Sequence, residues 1–154
     1  VKPDDFLAWL VGPAKEVCSQ YGLPYQVCVA QGAIESQWGE YGIGNGGFNL
    51  FGRKWSGEGD YVELETQEYY DGAWQTIIAK FQSYASLEDA IKDWCELMLW
   101  VKEDGEFGPY TAVARQYQQD HDVEAFVREI GPIYATDPDY ADKILQTIYA
   151  CKLS

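Results

Sequence analysis

The chain holds one histidine, His121, one methionine, and 11 Lys and Arg against 25 Asp and Glu. Each scarcity closes off a class of function. A net charge of −14 argues against nucleic acid, whose recognition needs clustered Lys and Arg to neutralise phosphates. A diffuse acidic surface also repels anionic polymers over about a Debye length, ~8 Å at physiological salt, so the charge reads as a solubility feature. No uncharged apolar run reaches the length of about 18 residues that a membrane span needs. Val1 does not open a basic-then-apolar leader, so an export signal is expected to have been removed or never to have been present. Cys18, Cys28, Cys95 and Cys151 form no Cys-x-x-Cys, and His121 lies near none of them in sequence, so no metal site is expected. A Gly-x-Ser-x-Gly elbow, a Walker loop, a His-Glu-x-x-His pair and an Asp-x-Asp-x-Asp-Gly calcium loop are all missing. His121, in Gln-Asp-His-Asp-Val, reads as a surface residue.

What is present points to a folded domain. At 154 residues and 47% hydrophobic content the chain suits a single domain, 1–154, around one main core. Aromatics are in excess, with 6 Trp, 12 Tyr and 6 Phe. Sugars bind by stacking on aromatic faces, so a glycan cleft is a natural use for part of that excess. The four cysteines permit two disulfides, yet each falls in an apolar helical stretch where a buried free thiol is ordinary, and both states remain open.

Phe6, Leu7, Leu10, Ala14 and Val17 recur at helical spacing and predict a helix over 5–21, ended by Gly22. Pro24 suits the first turn of a second helix with Leu23, Val27, Ala30 and Ile34 as its stripe and Gly39 as its stop. Residues 39–60 are glycine-rich and read as a loop. From Tyr61 the period changes to two: Val62, Leu64 and Thr66 alternate with Glu63, Glu65 and Gln67. Asp71-Gly72 supplies a turn, and Trp74 to Phe81 alternates again, predicting an antiparallel sheet of two or three strands. Ser86 with Asp89 resembles a capping box before an apolar face of Leu87, Ala90, Ile91, Trp94, Leu97, Met98 and Val101. Shorter helices are expected over 109–119 and 122–131, and a last one after Asp137-Pro138 with Ile144, Leu145 and Ile148 inward. The expected class is α+β: a mainly helical lobe and a small antiparallel β-hairpin lobe, about 47–84, forming a cleft between them.

Gln31, Glu35 and Trp38 stand four and three apart, which would put them on one helix face beside the apolar stripe. A carboxyl at the edge of a core, next to an indole, loses solvation, and its pKa rises toward what a general acid needs. Glycoside hydrolysis also needs a group across the sugar ring, and Glu58, Asp60, Glu63, Glu65, Glu68 and Asp71 are candidates. Alternation puts Glu68 in the same strand parity as Thr66.

Several ordered segments together resemble the N-acetylglucosaminidases of glycoside hydrolase family 73. They are Ala30-Gln31-x-x-x-Glu35-Ser36-x-Trp38-Gly39, then Asn49-Leu50-Phe51-Gly52-x-Lys54, then Thr66-Gln67-Glu68-Tyr69 with Asp71-Gly72. Phe81-Gln82-Ser83-Tyr84 with Ser86, and Tyr134-Ala135-Thr136-Asp137-Pro138-x-Tyr140-x-x-Lys143-Ile144, complete the series over roughly residues 6–148. Gln37 stands where the family commonly has Gly, and Gln82 where Arg is frequent; the four cysteines and the acidity are not family hallmarks.

The resemblance implies a lysozyme-like fold and cleavage of the β-1,4 bond between N-acetylglucosamine and N-acetylmuramic acid, on the reducing side of the former, in peptidoglycan. It implies Glu35 as general acid, Glu68 as second carboxylate with Glu63 and Glu65 as competitors, and Tyr134 lining the cleft near the reaction centre. Gln31, Trp38, Asn49, Phe51 and Tyr110 are substrate-binding candidates, Trp38 and Phe51 serving equally well as core. Water is the final acceptor and no cofactor is implied. The partner is the glycan strand, the expected state a monomer, and the expected place the cell wall, reached by export or by release of a phage lysin. A lytic transglycosylase or muramidase is the alternative, although such enzymes usually carry Gly-Leu-Met-Gln where this chain has Asn49-Leu50-Phe51-Gly52. A non-catalytic glycan-binding module is the other, against which the intact Glu35 and Tyr134 speak.

Overall fold

The computed structural model describes residues 2–41 and 47–154, and of Glu68 and Tyr69 it describes the backbone alone. Gly42, Gly44 and Gly46 of the expected loop therefore lie outside the described residues. The described elements are α1 (Pro3–Tyr21), α2 (Tyr25–Glu35), β1 (Tyr61–Tyr70), β2 (Ala73–Gln82), α3 (Leu87–Leu99), α4 (Thr111–Asp120), α5 (Val123–Tyr134) and α6 (Tyr140–Ala150). The class is α+β, as the change of period predicts.

Local chemistry sets most boundaries. Gly22 closes α1 in the left-handed region at φ 68°, and its N–H reaches the carbonyls of Cys18 and Ser19. The Ser86 side chain accepts the Asp89 N–H at the start of α3, and Asp122 accepts the Ala125 N–H at the start of α5. Asp71 and Gly72, both at positive φ (50° and 78°), turn β1 into β2 with Tyr70 opposite Ala73 and Tyr61 opposite Gln82. Two positive φ values are the mark of a type I′ hairpin turn. Residues 53–55 run beside the open end of the hairpin, where Trp55 N–H donates to Lys80 O and Gln82 N–H to Arg53 O, so two strands and an isolated bridge replace a third full strand.

The second helix differs from its expected stripe. Every residue from Val27 to Ala33 is buried, so α2 is enclosed on all sides rather than along one face. It packs against α1 and α6, while α1 also meets α3. Phe6 and Leu10 from α1, Ile91, Trp94 and Met98 from α3, Phe126 and Ile130 from α5, and Ile144 from α6 fill the core around it. α2 also ends earlier than Gly39 suggests. Ser36 Oγ donates to Gly32 O at 2.6 Å and accepts Gly39 N–H at 3.0 Å, closing the helix at Glu35. Gln37 and Trp38 then turn left-handed, at φ 49° and 58°.

α5 and α6 approach closely at Gly131, where a Cβ would lie 3.0 Å from Ala141 Cβ. That approach sets Tyr134, one turn after Gly131, against Tyr140, the neighbour of Ala141. All four cysteines are free thiols; Cys18, Cys28 and Cys95 are buried, with the sulfurs of Cys18 and Cys95 3.8 Å apart. Among the described residues no helix is long and apolar enough to cross a membrane, and no group of three His, Cys, Asp or Glu is arranged to hold a metal.

Candidate active site

Glu35 is the last residue of α2, half-buried, at the point where the enclosed helix reaches the loop leading to the hairpin. Its Oε1 accepts the Tyr140 hydroxyl at 2.8 Å. The Tyr140 oxygen accepts Gln31 Nε2 at 3.2 Å, and Gln31 Oε1 accepts Trp94 Nε1 at 2.8 Å. Gln31 and Trp94 are 0% and 1% exposed and Tyr140 4%. On the other side of the carboxyl, Oε2 lies 3.8 Å from the position a Cβ would take at Gly52, which sits at φ +68°. A Cβ there would meet that oxygen at ordinary van der Waals distance, so it is the left-handed backbone rather than crowding that suits glycine at this position.

Burial raises the Glu35 pKa above the ordinary carboxylate value, and the Tyr140 hydrogen bond, which favours the ionised form, offsets part of that rise. Tyr140 is itself pushed far up by burial and by the Glu35 charge, so its hydroxyl remains a donor throughout the physiological range. Tyr134 stacks on Tyr140 with ring centres 5.9 Å apart and planes 4° from parallel, and Tyr110 lies 6.0 Å from Tyr134. Tyr134 is pushed up first by burial and then by the charge of Glu35, while Arg53 opposes both. Arg53 pairs with Asp93 at 3.4 Å, and Asp93 accepts the Tyr84 hydroxyl.

The other expected site residues fall in distinct places. Gln31 is enclosed with both ends of its amide engaged, so it holds Tyr140 rather than touching substrate. Trp38 has left the helix face it was expected to share with Glu35. The left-handed turn carries its ring onto Phe6, 5.8 Å away edge to face, so the desolvation of Glu35 does not come from an indole on a shared helix face. Phe51 is 4% exposed, with its ring 6.4 Å from that of Trp94, on the core side. Asn49 is a clamp: Nδ2 donates to Arg53 O (2.7 Å) and Gln82 O (3.0 Å), and Oδ1 accepts Arg53 N–H (2.9 Å). It fixes the turn that carries Gly52 and ties it to the end of β2. Glu68 pairs with Gln75 in the hairpin register and its side chain lies outside the described residues; Glu63 and Glu65 are exposed.

Tyr140 and Trp94 received no role from sequence, the first standing as part of a motif and the second as core. The available signal was Gln31 itself. An amide in the middle of an apolar helix must find buried partners, but the sequence does not say which.

These features define the class as an α+β protein of lysozyme-like architecture, with a half-buried carboxyl poised at a helix end. The family model named Glucosaminidase, described as mannosyl-glycoprotein endo-beta-N-acetylglucosaminidase, matches residues 11–153. The chain belongs to this family. It is 35% identical over 153 residues to the peptidoglycan hydrolase FlgJ of Escherichia coli O157:H7, covering 96% of this chain and 46% of that protein. It is 33% identical over 147 residues to the exo-glucosaminidase LytG of Bacillus subtilis, covering 90% and 48%. The chain therefore spans about half the length of these curated relatives. In structure it is similar to the catalytic domain of the autolysin Auto from Listeria monocytogenes, with a TM-score of 0.82 and 29% identity, covering 98% of this chain and 85% of that one.

Proposed function

We propose that this chain hydrolyses the β-1,4 bond between N-acetylglucosamine and N-acetylmuramic acid in peptidoglycan, with Glu35 as general acid. The observation that carries the reading is a half-buried carboxyl at a helix end, held by Tyr140 on one oxygen and with its other oxygen facing Gly52, whose pKa burial raises above the ordinary carboxylate value. A peptidoglycan hydrolase and a glucosaminidase among the relatives agree with that chemistry.

In the proposed reaction the Glu35 proton moves to the glycosidic oxygen as its bond to the N-acetylglucosamine anomeric carbon breaks, and an oxocarbenium-like centre develops. Water then adds to that carbon as its proton passes either to a second carboxylate, proton exchange with solvent then resetting both groups, or to the Glu35 carboxylate, which regains its acid form directly. Glu68, on the hairpin, is the proposed second carboxylate, activating the water. Retention through the substrate's own 2-acetamido group is the other course, and the anomer released first distinguishes the two. Tyr134 and Tyr110 extend the aromatic row from Tyr140 and are the proposed contacts to the sugar. The protein would act in the cell wall.

The test is mass spectrometry of peptidoglycan digested by the protein and reduced with borohydride. Reduced N-acetylglucosamine ends are expected. Reduced muramic ends would make the activity a muramidase, and anhydro-muramic ends a transglycosylase. Turnover by Glu35→Gln would remove Glu35 from the role of acid.

A further inference from the structure

Three side chains behind Glu35 have hydrogen-bond directions that leave no choice. An indole N–H donates and cannot accept. The atom of Gln31 facing Trp94 Nε1 must therefore be the amide oxygen, which turns the amide nitrogen toward Tyr140. An amide NH2 also donates and cannot accept, so the Tyr140 oxygen is the acceptor there and its single hydrogen is left for Glu35. The orientation of the amide follows from the indole rather than from a choice between nitrogen and oxygen.

We propose that Trp94, Gln31 and Tyr140 form a one-way hydrogen-bond relay that keeps the acid proton of Glu35 on Oε2, making Gln31 and Trp94 positioning residues for a carboxyl they do not touch. This rests on the reading of Glu35 as the acid. Because Tyr140 donates to Oε1 at 2.8 Å, Oε1 is the better acceptor as the carbonyl oxygen of the neutral acid than as its weaker-accepting hydroxyl oxygen. That preference favours the proton on Oε2, the oxygen 3.8 Å from the position a Cβ would take at Gly52. Water cannot relax the arrangement from within, since Gln31, Trp94 and Tyr140 are almost wholly enclosed. Among the described residues no buried side-chain nitrogen or oxygen lacks a partner, so the relay is complete as it stands.

The relay joins α3, α2 and α6 and contains no charge other than that of Glu35. The titratable and charged groups around it are few. Tyr140 comes from α6 and Tyr134 from α5; Arg53, from the segment after Gly52, Tyr110, before α4, and Cys28 of α2 act on Tyr134. Asp93 of α3 and Tyr84 stand with Arg53. The neutral Trp94 and Gln31 are thus able to set the direction of the Tyr140 hydroxyl without adding a field of their own.

The test is the pH profile of kcat on soluble glycan strands for Gln31→Glu, Gln31→Met and Trp94→Phe, each with its folding checked by circular dichroism and thermal melting. Glutamate at position 31 keeps an acceptor for Trp94 but replaces the donor to Tyr140 with a second acceptor, drawing the Tyr140 hydroxyl away from Glu35. The alkaline limb is expected to move up by about half a pH unit or more, with a several-fold loss of kcat at its maximum and little change in KM. Gln31→Met and Trp94→Phe, which release the hydroxyl and the amide respectively, are expected to move the limb the same way by less, and because they add no charge that could act on Glu35 directly, they decide the matter. A purely structural role would lower melting temperature and leave the limb where it is in the wild type. Folded variants whose limbs superimpose on the wild type overturn the relay. Glu35→Gln separates the two readings: if it is inactive while the limbs stay put, the relay alone fails, and if it is active, the acid assignment fails first.

Discussion

Replacing Tyr140 by phenylalanine removes one oxygen and, with it, two hydrogen bonds: the donation to Glu35 Oε1 at 2.8 Å and the acceptance from Gln31 Nε2 at 3.2 Å. The ring and its stack on Tyr134 are kept, so little packing changes. The Gln31 nitrogen sits in a fully enclosed side chain, and losing its acceptor costs about 1–3 kcal/mol. The bond to an ionised Glu35 contributes about 1.5–3 kcal/mol in general, and the lower end applies because Glu35 is half-buried and water recovers part of it. Together the expected loss is about 2–4 kcal/mol when Glu35 is ionised. For a chain of this size that lowers the melting temperature by about 5–15 °C, at roughly 2–4 °C per kcal/mol.

The loss depends on pH in a defined direction. Burial already raises the folded-state pKa of Glu35 above its unfolded value, so wild-type stability declines as pH rises through the folded pKa. Removing Tyr140's donor raises that pKa further, and the decline becomes steeper. The melting-temperature gap between wild type and Tyr140→Phe is therefore expected to be smallest at about pH 4 and to widen toward about pH 8, near and above the unfolded carboxylate range respectively. Calorimetry at both values measures it. A gap of the same size at each would refute the idea that Tyr140 stabilises the carboxylate. On the activity side the alkaline limb of kcat is expected to move up, because the protonated acid persists to higher pH.

Glu35→Gln is expected to abolish turnover while raising the melting temperature at neutral pH, since a half-buried carboxylate is removed from a site that disfavours its charge. That stabilisation should fade as pH falls below the ordinary carboxylate range, and a variant no more stable than wild type at neutral pH would contradict it. Asn49→Ala loses three hydrogen bonds and is expected to cost about 2–4 kcal/mol, taking activity with it as the Gly52 turn loosens. An unchanged melting temperature would show that Asn49 is not a clamp. Cys151 is half-buried and the other three thiols are buried, so a disulfide reagent should titrate one thiol in the native protein and four after denaturation. Fewer than four in the unfolded, unreduced protein would reveal a bridge.

The fold was legible wherever its cause is local. Alternation from Tyr61 and the Asp71-Gly72 turn predict a hairpin because a period of two and two left-handed residues permit little else. Ser86 and Gly22 mark helix ends through bonds to their own neighbours. The end of α2 was misread for a related reason. Gly39 has the composition of a stop, but Ser36 bonding back to Gly32 closes the helix first, a competition between two local arrangements that spacing does not rank. Trp38 went astray as a consequence, because its predicted face existed only if the helix continued.

By itself the sequence determined the α+β order of elements and, through ordered motifs from Ala30 to Ile144, the family; it singled out the carboxyl at position 35, but for an indole neighbour that the fold places elsewhere. Tertiary structure alone decided what surrounds that carboxyl. Gln31 and Glu35 are one helical turn apart, yet they are joined through Tyr140, which lies 105 residues beyond Glu35, and Gln31 is oriented by Trp94, 63 residues beyond it. No spacing encodes such links. They follow from the satisfaction of a buried amide once α2 is enclosed by its neighbours, and from the close approach of α5 and α6 at Gly131, which sets Tyr134 against Tyr140. Sequence patterns report which groups must be buried or capped; which distant partner meets each buried polar group is settled only when the helices pack.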